Sequence, residues 1–221
     1  MKSQIVKRVI ISTGLCCAIC FCFMLSAEAC PKDKPFKRLS RPEKFWSAFH
    51  PFKAMKVYEC AQRSRAVSDS LQKAEVLTDP NGGQLDAFRH SYWMALMIVN
   101  GMKEDVARKV GERHEKGNYL DFKKGILEDS ILGDSMMCVM DLRNNDSGIS
   151  IGQAFLKGDK KLSLVEFTIN EIWNGKLVIM SKNAEGDYLD CDGEIITQSG
   201  KRTTWYLPKC LVSSDRIVVK H

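Results

Sequence analysis

Two carboxylate-led pairs at a four-residue spacing, Asp86 with His90 and Asp141 with Asn145, are the residues of this chain best suited to chemistry. His114 and Glu115 lie between them in sequence. All fall within three polar clusters set among apolar residues: NGGQLDAFRHSYWMAL, GERHE and MDLRNN. Residues four apart share one face of a helix, so Asp86 can fix the tautomer of His90 and raise its basicity, as a general base requires. The same pair can instead hold a divalent cation. The plainer reading is a hydrogen bond that satisfies two buried groups, with Arg89 as counter-ion. Adjacent helical residues point about 100° apart, so His114 and Glu115 serve one site only where a helix ends, as Gly117 suggests. A cationic histidine at a helix C-terminus also suits the dipole without any catalysis. Asp141 and Asn145 either face inward, on a stripe with Asp134 and Cys138, or the adjacent Asn144 and Asn145 cap a helix and build a turn with Ser147-Gly148. The string HEKGNY is not HExxH, no EF-hand loop, P-loop, GxGxxG or GxSxG occurs, and no CxxC occurs beyond residue 29. The expectation is that these groups meet in one pocket.

The elements that must position them read as a helical bundle. Ser40, Pro42 and Glu43 have the pattern of a helix start, and Pro51 breaks that short helix. An amphipathic helix follows over 53–76, with Val57, Cys60, Val67, Leu71 and Ala74 on one stripe. Thr78 to Gly83 is a turn cluster. The segment 84–100 is apolar on most faces and belongs in the middle of a bundle. A surface helix is predicted over 103–114, another from Asp121 to Leu142, a short piece over 149–156, and a last helix over 162–173. From Asn174-Gly175 the pattern changes to short β-branched and aromatic runs, KLVIMSK, GEIITQ, TTWYL and RIVVK, divided by turns. The fold class is therefore α+β: a mainly α-helical bundle over 30–175, followed by a small C-terminal antiparallel β segment. That segment, 176–221, is a hairpin appendix packed on the same domain.

Lys2, Lys7 and Arg8 precede an apolar run from Val9 to Leu25 that ends at Ala27-Glu28-Ala29, the pattern of a cleaved signal peptide over 1–29. The chain is expected to be exported, periplasmic or secreted; an uncleaved anchor and a lipidated Cys30 are the alternatives. Without residues 1–29 the chain holds 30 Lys and Arg against 26 Asp and Glu, a net charge of +4. The charges are interspersed, which makes no case for nucleic acid, although anionic lipid or an envelope polymer remains a partner to consider. Four of the nine cysteines leave with the signal; among Cys30, Cys60, Cys138, Cys191 and Cys210, the bridge expected first is Cys191–Cys210. Cys30–Cys60 is a second pairing, and Cys138 is expected to be free and buried.

The order NGGxxDAFRHSYW, GxxHE, MDLxNNxxG and IG resembles an uncharacterised domain family of exported bacterial proteins and polymorphic toxins. That family is distantly similar to the Wnt-like part of the Lipocone superfamily. The resemblance implies a helical enzyme acting on lipid headgroups, polyprenyl carriers or other phosphate-linked envelope components, a role several relatives have lost. It carries over onto Asp86, Arg89, His90, His114, Glu115, Asp141, Asn144 and Asn145. Family members commonly read MDLHNN, where this chain has Arg143; an arginine there could hold a phosphate in a bidentate manner. The expected function is a hydrolase or transferase for such headgroups, with Asp86, His90, His114, Glu115 and Asp141 catalytic. Arg89, Arg143, Asn144 and Asn145 would bind substrate. The cofactor is unknown, with a divalent cation as the candidate. The alternative is a non-catalytic exported binding or structural protein whose polar clusters hold helices together.

Overall fold

The computed structural model describes residues 39–127, 132–158, 161–196 and 204–216. The signal segment, Cys30, and all of RIVVK beyond Arg216 lie outside the described residues, as do the adjoining ends of GEIITQ and TTWYL. The described residues hold helices α1 (Arg41–Phe49), α2 (Pro51–Lys73), α3 (Gln84–Val99), α4 (Glu104–Phe122), α5 (Ser135–Lys157) and α6 (Leu164–Trp173). Strands β1 (Val178–Met180) and β2 (Leu211–Ser213) pair antiparallel, with Ile179 opposite Val212. The chain is mainly helical with a small C-terminal β segment.

Helix α3 is the axis of the bundle and packs on α2, α4, α5 and α6. Its sequence explains this, because Ala87, Phe88, Met94, Ala95 and Met97 are fully buried and leave few positions for water. Its most extensive partner is α5. The two backbones touch at Gly148, where a Cβ would lie 2.6 Å from Ser91 Cα. Gly148 therefore serves close approach, and the expected break at Ser147-Gly148 does not occur. One continuous helix runs from Ser135 to Lys157, where two separate pieces were expected.

Gly117 has a similar effect on α4. The helix runs past His114 to Phe122, because Gly117 makes room for the start of α1: a Cβ there would lie 2.6 Å from Ser40 Cβ. His114 and Glu115 are mid-helix residues and do not end the element. The helix start expected at Asp121 is also displaced, since Asp121 lies in the last turn of α4, and Asp134 caps α5 by accepting from the Met136 and Met137 amides. Pro51 closes one helix and opens the next, as the first residue of α2. At the start of α1, Ser40 donates through its N–H and hydroxyl to Glu43 Oε2, at 2.7 and 2.6 Å.

Among the described residues of the β segment, KLVIMSK supplies β1, GEIITQ contributes an isolated bridge, Leu189 with Ile195, and TTWYL forms no strand. The segment is also fastened by Cys191–Cys210, with Cα atoms 4.8 Å apart. Cys60 is a buried free thiol that accepts from Asn100 Nδ2, so the expected Cys30–Cys60 bridge is not made. Burial first, and then Glu59, push its pKa up to about 11, which makes it a poor nucleophile. Cys138 is free, as expected, but only half-buried. No helix among the described residues is long and apolar enough to cross a membrane.

Candidate functional site

The site begins at the turn before α3. Asp79 and Gly82 both adopt positive φ, which reverses the chain so that the Gly82 N–H donates to Asp86 Oδ2 at 2.7 Å. Lys182, from the C-terminal segment, grips this turn through Asp79 Oδ2 at 2.7 Å and the Asn81 carbonyl at 2.6 Å. Tyr188 OH donates to the same carbonyl. One turn into α3, Arg89 Nη2 donates to Asp86 Oδ1 at 2.7 Å. Asp86 is thus held from two sides before it meets the rest of the site.

The four-residue spacing then brings His90 beside it. His90 Nε2 lies 3.6 Å from Asp86 Oδ1 and 3.4 Å from Asp141 Oδ1, which arrives from α5. Asp86, His90 and Asp141 each place one oxygen or nitrogen within 4.8 Å of the others, and all three are buried. Burial, followed by the charges of Arg89 and His114, holds the His90 pKa well below the usual imidazole range. The ring is therefore neutral at physiological pH, with a lone pair to offer. The Asn145 amide faces this ring and favours its charged form, but neither amide atom nor His90 Nδ1 makes a hydrogen bond of regular geometry.

A more accessible rim borders this centre. The His114 ring stands 6.2 Å from that of His90 and edge-on to Trp93, and its Nδ1 is 3.0 Å from Glu43 Oε1. Burial alone would raise the Glu43 pKa; His114 and the two Ser40 donors outweigh it and leave the carboxyl below its ordinary value. The side chains of Arg89 and His114 are 25% and 20% exposed, against 4%, 7% and 10% for Asp86, His90 and Asp141. Solvent thus meets cationic or ionisable groups first and the paired carboxylates behind them.

Of the residues singled out in the sequence, Asp86, Arg89, His90, Asp141 and Asn145 come together, with His114 alongside. Glu115 is buried beside Cys138, whose pKa it raises after burial has done so and which Asp141 also raises, and Asn118 donates to its Oε2. Asn144 is not at the site. Its amide donates to the Val178 carbonyl at 2.9 Å and accepts from the Val178 N–H at 3.0 Å, which spends both polar atoms on β1. Arg143 is exposed. It follows Asp141 by two residues, about 200° around the helix, so it cannot reach the phosphate position imagined for it.

Glu43 was missed as a site residue, because its partner is 71 positions away and its only local signal was the helix cap. Lys209 was missed as well: it pairs with Asp134 at 2.6 Å, both side chains 2% exposed, and lies over the Tyr188 ring.

These features define a helical domain with an Asp–His–Asp centre buried between two helices. Residues 44–176 match the family model described as a domain of unknown function, DUF6973, and the chain belongs to that family. Searches of curated proteins and of solved structures return no match.

Proposed function

We propose that the chain is an exported hydrolase or transferase acting on phosphate-linked headgroups of envelope lipids or related carriers. One observation supports this most: a buried imidazole lies between two buried carboxylates, behind a rim formed by Arg89 and His114. Arg89 is a permanent cation of the kind that recognises phosphate oxygens. His114, kept in place by Glu43, can protonate a leaving oxygen or take a proton from an attacking hydroxyl. His90 brings an imidazole to the reacting centre, flanked by Asp86 and Asp141. The resemblance to headgroup-processing helical enzymes points to the same substrate class, and export would deliver the chain to it.

A second reading, a non-catalytic binding or structural domain, draws support from Asn144 and from the Asp134–Lys209 pair, which plainly hold elements together. Phosphorus NMR of the protein incubated with bacterial phospholipids and polyprenyl phosphates separates the two. Headgroup release that disappears in His90→Gln, with the variant still folded, supports the enzyme. Release that persists in His90→Gln removes that residue from the chemistry. Absence of release with every such lipid favours the structural domain.

A further inference from the structure

We infer that Asp86, His90 and Asp141 form a binding site for a single divalent transition-metal ion of the Mn²⁺ or Zn²⁺ type. The inference rests on the same residues as the proposed function but does not require that function. Its first support is metric. Nitrogen–oxygen separations of 3.4 and 3.6 Å exceed the range of about 2.7–3.2 Å for a hydrogen bond. They match the edge of a coordination tetrahedron, because ligands about 2.0–2.1 Å from a common ion at tetrahedral angles stand about 3.3–3.4 Å apart. The imidazole therefore stands from each carboxylate at the spacing of two ligands of one ion, and the three donor atoms all lie within 4.8 Å of one another.

The second support is independent of those distances. Asn145 is 3% exposed and His90 6%, yet neither Asn145 amide atom nor His90 Nδ1 has a regular hydrogen-bond partner. Buried polar atoms left in this state call for an ion, a water or a functional explanation. The Asn145 amide is pressed against α4 at Gly111, where a Cβ would come within 2.7 Å of Asn145 Nδ2. It faces the His90 ring, and in the inferred site it would steady that ring while Nε2 holds the ion. Asp86 is oriented from behind in the same way, by the Gly82 N–H and Arg89.

The donor set selects the ion. One imidazole nitrogen with two carboxylate oxygens is harder than a thiolate site and softer than an all-oxygen cage, which favours Mn²⁺, Fe²⁺ or Zn²⁺ over Mg²⁺, Ca²⁺ or Cu⁺. Three protein ligands leave coordination positions for solvent or for a phosphate oxygen, as in a catalytic rather than a structural centre.

The test is calorimetric titration of the EDTA-treated, desalted full chain with Mn²⁺ and, separately, Zn²⁺, with thermal unfolding followed in parallel. The expected result is one ion per chain, a higher melting temperature with metal, and affinity reduced about tenfold or more in Asn145→Ala and further in Asp141→Asn. Because a variant can lose metal by misfolding, the wild-type melting shift is the companion readout and needs no mutation. Failure of both ions to bind, or binding unchanged in folded Asp141→Asn, overturns the site. Binding without headgroup release leaves the site standing and removes the proposed function. Headgroup release undiminished in EDTA, with neither ion binding in the titration, removes the site and leaves the function.

Discussion

Gly148→Ala should destabilise the protein although helix propensity alone says the reverse. In the interior of an exposed helix this substitution stabilises by about 0.5–1 kcal/mol. Here the new Cβ would fall on the Ser91 carbonyl oxygen, 2.6 Å from Ser91 Cα and 2.8 Å from its carbonyl carbon. These are backbone atoms of the central helix and cannot rotate aside. Restoring ordinary contact requires α3 and α5 to separate locally by about 1 Å, and overpacking of this kind costs about 1–3 kcal/mol. The net loss expected is about 1–2 kcal/mol. The same separation reaches the site, because Asp141 lies two helical turns before Gly148 and meets His90 across the same interface. A displacement near 1 Å lowers a rate by about 10²-fold, so headgroup release should fall far more than stability does. Urea unfolding followed by circular dichroism measures the first quantity. Gly133→Ala is the control, since a Cβ there meets nothing within 4 Å; it should be neutral or slightly stabilising. A stabilised Gly148→Ala would refute the reasoning about the helix interface.

Other changes follow from single contacts. Asn144→Ala strands the part-buried N–H and carbonyl of Val178, so unfolding free energy should drop by about 1–3 kcal/mol in a urea titration. Lys209→Met leaves Asp134 without its cation in a fully buried pair and should cost about 3–5 kcal/mol; the double variant with Asp134→Asn should recover part of that loss. Glu43 has a depressed pKa in the fold, so its contribution is present above the unfolded value of 4.5 and is lost as pH falls through the folded one. Acid unfolding of Glu43→Gln should accordingly show a shallower decline below that pH than the wild type. An identical decline would mean that His114 and Ser40 do not hold the carboxyl charged.

The sequence carried the parts of this site that depend on local spacing. Asp86 and His90 share a face because they are four apart, and Arg89 reaches back to Asp86 over a three-residue step. The capping pattern of Ser40 and Glu43 was likewise readable. Other features depend on what lies across an interface. Gly117 and Gly148 look like stop signals in one dimension, yet each lets a neighbouring backbone approach, and this keeps α4 and α5 continuous. Asn144 and Asn145 are indistinguishable by type. The helical rotation between them sends one to β1 and the other to His90. Arg143 drew attention through its chemistry, but its helical phase puts it in solvent. The β-branched composition after Asn174 announced the small antiparallel segment, but not the disulfide and lysine contacts that also fasten it.

The sharpest test asks whether Asp141 is placed for chemistry or for cohesion: the unfolding free energy of Asp141→Asn against wild type, both in EDTA. Two carboxylates whose oxygens lie within 4.8 Å repel by about 3 kcal/mol at a protein-like dielectric constant, before Arg89 offsets part of it. Neutralising one without changing its shape should leave the metal-free protein as stable as before or more so. A loss of about 1–3 kcal/mol would instead show that the carboxylate holds the helices together, and the centre proposed here would be a structural polar core.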